Sequence, residues 1–294
     1  MKPIIKWVGG KTQILDKVLE TFPREMENYH ELFVGGGSVL FGLLESKDIT
    51  VKGKVYAYDK NQKLINMYRQ IQTNPKDVHD HLTELFKTYD TRTGTEVNRK
   101  PQTEEEGMTS KESYYYWVRK RYNDLLPTTH IHAATLIFLN KTCFRGVYRE
   151  GPNGFNVPYG HYKTTPVITP LEELIKIQDL IKNVVFKGCD FREAFTQTIN
   201  EGDFIYADPP YAPESVRSFV GYTKDGFVID DHENLFKLLK YSTIDFVMSN
   251  AKVDLVTNSF KDYRIEDVTA RRAINSKDPS SKTMEVLVHG YVRK

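Results

Sequence analysis

The sequence predicts an α/β protein that carries its chemistry at the ends of sheet strands, and two stretches predict it. His30–Leu44 reads as a strand, a Gly35-Gly-Gly37 turn and a helix starting near Ser38, and a second strand at Lys54–Tyr58 then ends at Asp59. Phe204–Tyr211 reads Phe-Ile-Tyr-Ala-Asp-Pro-Pro-Tyr, a buried strand stopped by Pro209 and Pro210, neither of which has an N–H for a sheet ladder. In open α/β sheets, ligands bind outside the C-terminal ends of the strands. The Asp208 carboxylate and the Pro209 carbonyl can together accept both hydrogens of an amino group, and the Tyr211 ring can stack on a flat base. An Asp-Pro turn by itself is common after core strands, so the rest of the chain has to carry the reading.

The 294 residues suffice for one large domain or two. Charged residues are 27% and the net charge is only +2, so any nucleic-acid surface must come from local clustering. Two cysteines, Cys143 and Cys189, give neither a disulfide framework nor a zinc spacing, which points to a reducing, cytoplasmic setting and predicts no metal. No signal peptide and no run approaching the roughly 20 apolar residues of a membrane span is seen.

Taken in order, residues 3–11 run from a short apolar segment into a Gly-Gly turn, and a helix is expected over about Thr12–Phe22. Gly10-Lys-Thr12 is not a P-loop, because the glycine that motif needs five residues earlier is Ile5. Gly35–Gly37 lacks the last glycine of the dinucleotide fingerprint, where Leu40 stands. Asp59, 22 residues after Gly37, is placed to bond a ribose hydroxyl, although it could equally cap a helix over Gln62–Gln72. Helical pattern continues over Leu64–Tyr89, Asp90–Glu112 reads as a mobile polar loop, and Ser113–Leu126 and Ala133–Asn140 return to helix. Tyr114–Tyr116 could stack bases, but at helical spacing some must face the core.

Residues 141–163 hold four Lys/Arg and one Glu around Pro152-Asn-Gly154, a turn signal that suits a hairpin. Basic residues interleaved with Asn and Tyr suit phosphate and base-edge contacts, and Arg145 can pair with guanine O6 and N7 together. Leu171–Ile181 reads as a helix, Val184–Phe186 as a strand, and Asp190 as a helix cap. Ala212–Phe227 is a candidate flap. Asp230–Tyr241 reads as helix, and Phe246–Ser249 and Glu285–Tyr291 as strands. A basic loop, 270–282, either meets phosphate or is simply solvated.

Four motifs occur in one order: Lys6-Trp-Val-Gly-Gly-Lys11, Glu31-Leu-Phe-Val-Gly-Gly-Gly37, Tyr56-Ala-Tyr-Asp59 and Asp208-Pro-Pro-Tyr211. Their order resembles that of the Dam-type, α-class DNA adenine N6-methyltransferases, with departures at Leu32, often Pro in that family, and Val8, usually Ala. Phe144-Arg-Gly146 and Gly154-Phe-Asn-Val-Pro-Tyr-Gly160 are similar to the family's recognition hairpin. The resemblance implies a Rossmann-like S-adenosylmethionine-dependent methyltransferase fold with a mainly helical target-recognition insert carrying a hairpin. It implies a discontinuous catalytic domain, 1–70 and 167–294, around a recognition domain, 71–166.

The resemblance further implies S-adenosylmethionine held by Trp7, Lys11, Phe33, Gly35, Gly37, Asp59, Asp190, Phe191 and Asp208, and catalysis at Asp208, Pro209, Pro210 and Tyr211. Double-stranded DNA would be contacted by Lys141, Arg145, Arg149, Asn153, Asn156 and Tyr159, with GATC as target and a place in restriction-modification. The alternatives are the same chemistry on RNA, a protein glutamine methyltransferase, against which Asp208 in place of Asn argues, and a non-catalytic DNA-binding regulator. Neither cysteine follows a proline, which disfavours cytosine C5 chemistry.

Overall fold

A computed structural model describes residues 1–197, 199–213, 226–271 and 282–291. Most of the flap expected over Ala212–Phe227, and most of the basic loop over 270–282, therefore lies outside the described residues. The chain forms two compact units. One comprises Met1–Gly10, Gly35–Gly37 and Asn61–Lys182; the other comprises Lys11–Val34, Ser38–Lys60 and Asn183–Lys294.

The second unit holds α1 (Leu15–Glu20), β1 (Glu25–Met26), β2 (Tyr29–Glu31), α2 (Ser38–Glu45), β3 (Thr50–Val51) and β4 (Val55–Asp59). The first unit contributes α3 (Gln62–Thr73), α4 (Pro75–Asp90), α5 (Glu104–Gly107), α6 (Lys111–Asp124), α7 (His130–Thr142), β5 (Glu150–Gly151), β6 (Gly154–Phe155) and α8 (Leu171–Ile181). The second unit resumes with β7 (Val184–Gly188), α9 (Phe191–Gln197), β8 (Phe204–Ala207), α10 (Ile229–Tyr241), β9 (Asp245–Ala251), α11 (Asp254–Ser259), β10 (Arg264–Arg271) and β11 (Lys282–Gly290).

Seven strands make one sheet in the order β10-β11-β9-β8-β2-β4-β7. β11 runs antiparallel to both its neighbours, and β7, β4, β2, β8 and β9 are mutually parallel. From β2 the chain steps one way to β4 and β7, then crosses to β8 and β9 on the other side. The switch point lies between β2 and β8, where this class of sheet binds ligands. This is the Rossmann-like methyltransferase fold that the motif order implies.

β8 is buried on both faces, as its unbroken apolar run predicts. Ile205 and Ala207 join a core with Leu235, Phe236, Leu239, Met248, Val286 and Val288. On the opposite face Phe204 and Tyr206 meet Phe22 at ring separations of 4.8 and 5.5 Å. The sheet also buries a polar triad: His30 in β2 meets Asp203 at 2.8 Å through Nε2 and the Tyr58 hydroxyl at 3.0 Å through Nδ1. Burial lowers the His30 pKa, against the pull of Asp203, so the ring stays neutral and serves as a hydrogen-bonding bridge.

The structure corrects four local readings, three of them in the first unit. The helical pattern expected over Leu64–Tyr89 is divided between two helices, because Pro75 lacks the N–H that an interior position requires and fits only the first turn of α4. The cap of α3 is Asn61, whose side chain accepts from the N–H groups of Lys63 and Leu64, rather than Asp59. The polar segment 90–112 contains α5 and is tethered, with Asn98 N–H donating to Ser113 Oγ at 2.8 Å and Arg99 pairing with Glu112 at 2.7 Å. Helix α1 is shorter than the expected Thr12–Phe22. Tyr114, Tyr115 and Tyr116 are all buried. Tyr114, Phe86 and Tyr89 each pack edge-on against Phe138.

His30→Ala is expected to destabilise the protein by about 2–4 kcal/mol, through a cavity at the centre of the sheet and an unpaired Asp203 oxygen. Urea unfolding checks this; a loss below about 0.5 kcal/mol would show that the triad is not structural.

Candidate active site

The C-terminal ends of β2, β4, β7 and β8 lie along one edge of the sheet, since Glu31 is in register with Ala57 and Tyr206, and Asp59 with Gly188. At the end of β8, Asp208 follows the last ladder residue. Its Oδ2 lies 2.7 Å from Lys11 Nζ. Lys11 is 4% exposed and the Asp208 side chain 16%. Lys11 is fixed at its backbone by Ser38, the first residue of α2, whose hydroxyl accepts the Lys11 N–H at 3.0 Å. The ammonium also lies 4.8 Å from the centre of the Tyr211 ring. Pro209 is buried and Pro210 exposed.

Burial pushes the Asp208 carboxyl up to about 6; Lys11 opposes that shift and Glu285 adds to it. Asp208 Oδ1 is buried and has no hydrogen-bond partner among the described residues. Such an acceptor costs free energy unless a ligand donates to it. Glu31 is 2% exposed and accepts from the Tyr29 hydroxyl at 2.8 Å. Its carboxyl is held well above the usual range, by burial first and then by Asp208, so it sits neutral beside the ion pair. The Tyr211 hydroxyl donates to Glu285 Oε2 at 2.6 Å, and the next backbone N–H, that of Ala212, donates to Asn250 Oδ1 at 3.0 Å.

Further along the edge, Phe33, Phe191 and Phe227 form a three-ring cluster with separations of 5.6–5.7 Å. Asp59 and Asp190 stand on the neighbouring ends of β4 and β7, where Cys189 N–H donates to the Asp59 carbonyl at 3.1 Å. Asp190 Oδ1 accepts from the Arg192 N–H at 3.0 Å and so caps α9, while the Arg192 guanidinium joins it to Asp231. The second unit therefore brings Lys11, Phe33, Asp59, Asp190, Phe191, Asp208 and Tyr211 to one edge of one sheet.

Within the first unit, Trp7 stacks on Tyr148 with ring centres 4.9 Å apart. Gly35 has φ +48°, and a Cβ there would lie 2.9 Å from Trp7 Cδ1, so both conformation and space demand glycine. The expected hairpin is present as β5 and β6 joined by Pro152-Asn153. Glu150 ties it to α3 through Lys63 at 2.6 Å. Asn140, 2% exposed, accepts the Lys6 N–H and donates to the carbonyls of Lys6 and Gly146, each at 2.9 Å. It thereby binds the segment carrying Lys6 and Trp7 to the turn carrying Arg145. Arg145 is exposed at φ +59°, an uncommon conformation for a residue with a Cβ, and such strain collects at functional positions.

Arg149 and Asn153 are also exposed, and Arg149 Nε donates to Asn156 Oδ1 at 2.7 Å. Lys141 is half-buried, and burial lowers its pKa. Tyr159 is 7% exposed, with its hydroxyl 2.6 Å from that of Tyr89, so its side chain packs the loop instead of facing outward. Cys143 is buried, its thiol pushed up to about 12 by burial, which leaves it inert. Among the described residues no group of His, Cys, Asp or Glu could hold a metal ion, and no helix is long and apolar enough to cross a membrane.

Four of these residues carried no assigned role in the sequence. Asn140 and Tyr148 give no local signal, because their partners lie far away in the chain. Asn250 and Glu285 do leave one: each is a polar residue in a strand that also carries an apolar run, Phe246–Met248 in β9 and Val286–Val288 in β11.

A sheet of this topology with an Asp-Pro-Pro-Tyr turn at its switch point fits the exocyclic-amine methyltransferases that the motif order resembles. The sequence model of the D12 class N6 adenine-specific DNA methyltransferases matches residues 7–274, and the chain belongs to that family; it is an adenine-specific DNA methyltransferase. It is 35% identical to the type II methyltransferase M.MjaIII of Methanocaldococcus jannaschii, over 99% of both chains. It is 32% identical to the type II methyltransferase M1.LlaDCHI of Lactococcus lactis subsp. cremoris, over 99% of this chain and 96% of that one. A DNA adenine methylase of Haemophilus influenzae is 27% identical over 96% of this chain and 90% of its own.

Lys11→Met is expected to destabilise the protein by about 3–5 kcal/mol at pH 8, because it strands a buried carboxylate. Removing the ammonium raises the Asp208 pKa further, so the cost shrinks as pH falls and Asp208 takes up a proton. Thermal unfolding across pH 5–8 checks this; a cost that does not vary with pH would contradict it.

Proposed function

We propose that the enzyme methylates N6 of adenine in double-stranded DNA, within GATC, by base flipping and direct displacement from S-adenosylmethionine. The observation that carries this reading is Asp208, with one buried oxygen held by Lys11 and the other without a partner among the described residues. The second oxygen suits a hydrogen of the adenine amino group, and the Pro209 carbonyl suits the other. Hydrogen bonds of this kind hold the nitrogen lone pair toward the methyl donor, and positioning and electrostatics then carry most of the rate. Tyr211 stacks on the extruded base. Flipping costs about a few kcal/mol, which contacts to the displaced base and the surrounding duplex offset.

The residues present fit the methyl donor. Asp59 suits the ribose hydroxyls, and the cluster of Phe33, Phe191 and Phe227 offers an apolar, aromatic wall to a purine. S-adenosylmethionine supplies, when bound, a methyl group on a positively charged sulfur that leaves as a neutral thioether. Trp7, Gly35 and Gly37 join this set through the resemblance. Residues 1–70 and 167–294 serve as the catalytic domain and 71–166 as the recognition domain. Lys141, Arg145, Arg149, Asn153 and Asn156 contact DNA, with Arg145 reading guanine. Tyr159 supports them from within the loop. The type II relatives suggest that the enzyme marks sites against a partner endonuclease.

Transfer of labelled methyl from S-adenosylmethionine to duplexes with and without GATC tests the reading, with Asp208→Ala alongside. Label is expected in N6-methyladenine of the GATC duplex only, falling about 10²–10⁴-fold in the variant. Label on both duplexes would remove the GATC assignment, and undiminished transfer by Asp208→Ala would overturn the mechanism.

A further inference from the structure

Tyr211 has two degrees of side-chain freedom, and a different neighbour restrains each. Lys11 Nζ lies 4.8 Å from the ring centre and restrains rotation of the ring plane. It cannot fix where the tip of the ring points. The hydroxyl does that: it lies on the ring axis and donates to Glu285 Oε2 at 2.6 Å, in the range of a charge-assisted bond. Glu285 is well placed for the task. It sits in β11 opposite Ala251 of β9, while its neighbours Val286 and Val288 point to the other face and join the core. Its backbone is thus locked into the sheet by apolar burial and by pairing with both β9 and β10. The start of the turn beyond Tyr211 is pinned to the same strand pair, since Asn250 of β9 accepts the Ala212 N–H.

We infer that Glu285 is a positioning residue for the methyl-transfer reaction, fixing the tip of Tyr211 so that its ring is in stacking pose before the target base arrives. The inference rests on the reading that Tyr211 stacks on the flipped base. A stacking ring that is already ordered need not be immobilised during binding, so loss of Glu285 acts on turnover more than on cofactor binding.

The test compares Glu285→Ala, Glu285→Gln, Tyr211→Phe and the double variant Tyr211→Phe/Glu285→Ala. In steady-state methylation of duplex DNA, Glu285→Ala is expected to lower kcat about 10- to 100-fold, with KM for S-adenosylmethionine within about twofold of wild type. Glu285→Gln, isosteric and still an acceptor, is expected to recover most of that loss. Tyr211→Phe reproduces it, and the double variant falls no further than either single one. Additive losses in the double variant, or wild-type kcat in Glu285→Ala, would overturn the inference.

A readout independent of turnover is the hydroxyl proton resonance of Tyr211, identified by its absence in Tyr211→Phe. It is expected far downfield in the wild type and displaced upfield in Glu285→Gln; no displacement would also overturn the inference. A wild-type protein that methylates no adenine would defeat the proposed function, while the hydroxyl resonance would still decide the role of Glu285.

Discussion

The ion pair between Lys11 and Asp208 is the interaction on which the site depends. Either group alone would be an unpaired buried ion, which costs several kcal/mol. Together they fix the two chain segments that bear them. Lys11 is anchored through its backbone to the first residue of α2, and Asp208 is delivered by a strand buried on both faces and stopped by two prolines. The pair satisfies one carboxylate oxygen and leaves the other buried, so the protein holds an acceptor whose desolvation has already been met by folding.

The surroundings tune that acceptor. Glu31 would repel Asp208 if ionised, but burial and the nearby Asp208 keep it protonated, so it adds packing without charge. Glu285 lies on the other side, raises the Asp208 pKa and holds the Tyr211 hydroxyl. The Tyr211 hydroxyl is itself pushed far up, chiefly by burial, and so remains a donor. A carboxylate near pH 6 is ionised at neutral pH yet basic enough to bind an amine hydrogen well, a compromise suited to a nitrogen that must gain electron density.

Much of this was legible in the sequence because it is local. An apolar run ending in Asp and two prolines can only be a strand that stops, and a glycine turn before a helix with an acid after the next strand has one common use. Lys11 gained its meaning from motif order alone, since nothing in Gly-Lys-Thr announces a partner nearly two hundred residues away. What was not legible depends on tertiary register. Glu285 reads as an ordinary charge in a closing strand until β11 is placed opposite Ala251. Asn140 reads as the end of a helix until its amide is seen spanning Lys6 and Gly146. Tyr159 looked like a base contact because its loop is polar, yet its ring is enclosed by Tyr89 and Tyr115. Pro75 interrupts a helical pattern whose apolar period continues on both sides of it, so periodicity alone does not show the break.

The most direct measurement is the titration of the Asp208 side-chain carboxyl by carbon-13 NMR, its resonance identified by its absence in Asp208→Asn. A midpoint near 6 is expected, because burial outweighs the stabilising ammonium of Lys11. A midpoint near 4, the value of an ordinary solvated aspartate, would contradict the claim that the acceptor is buried and held in place by a single ion pair.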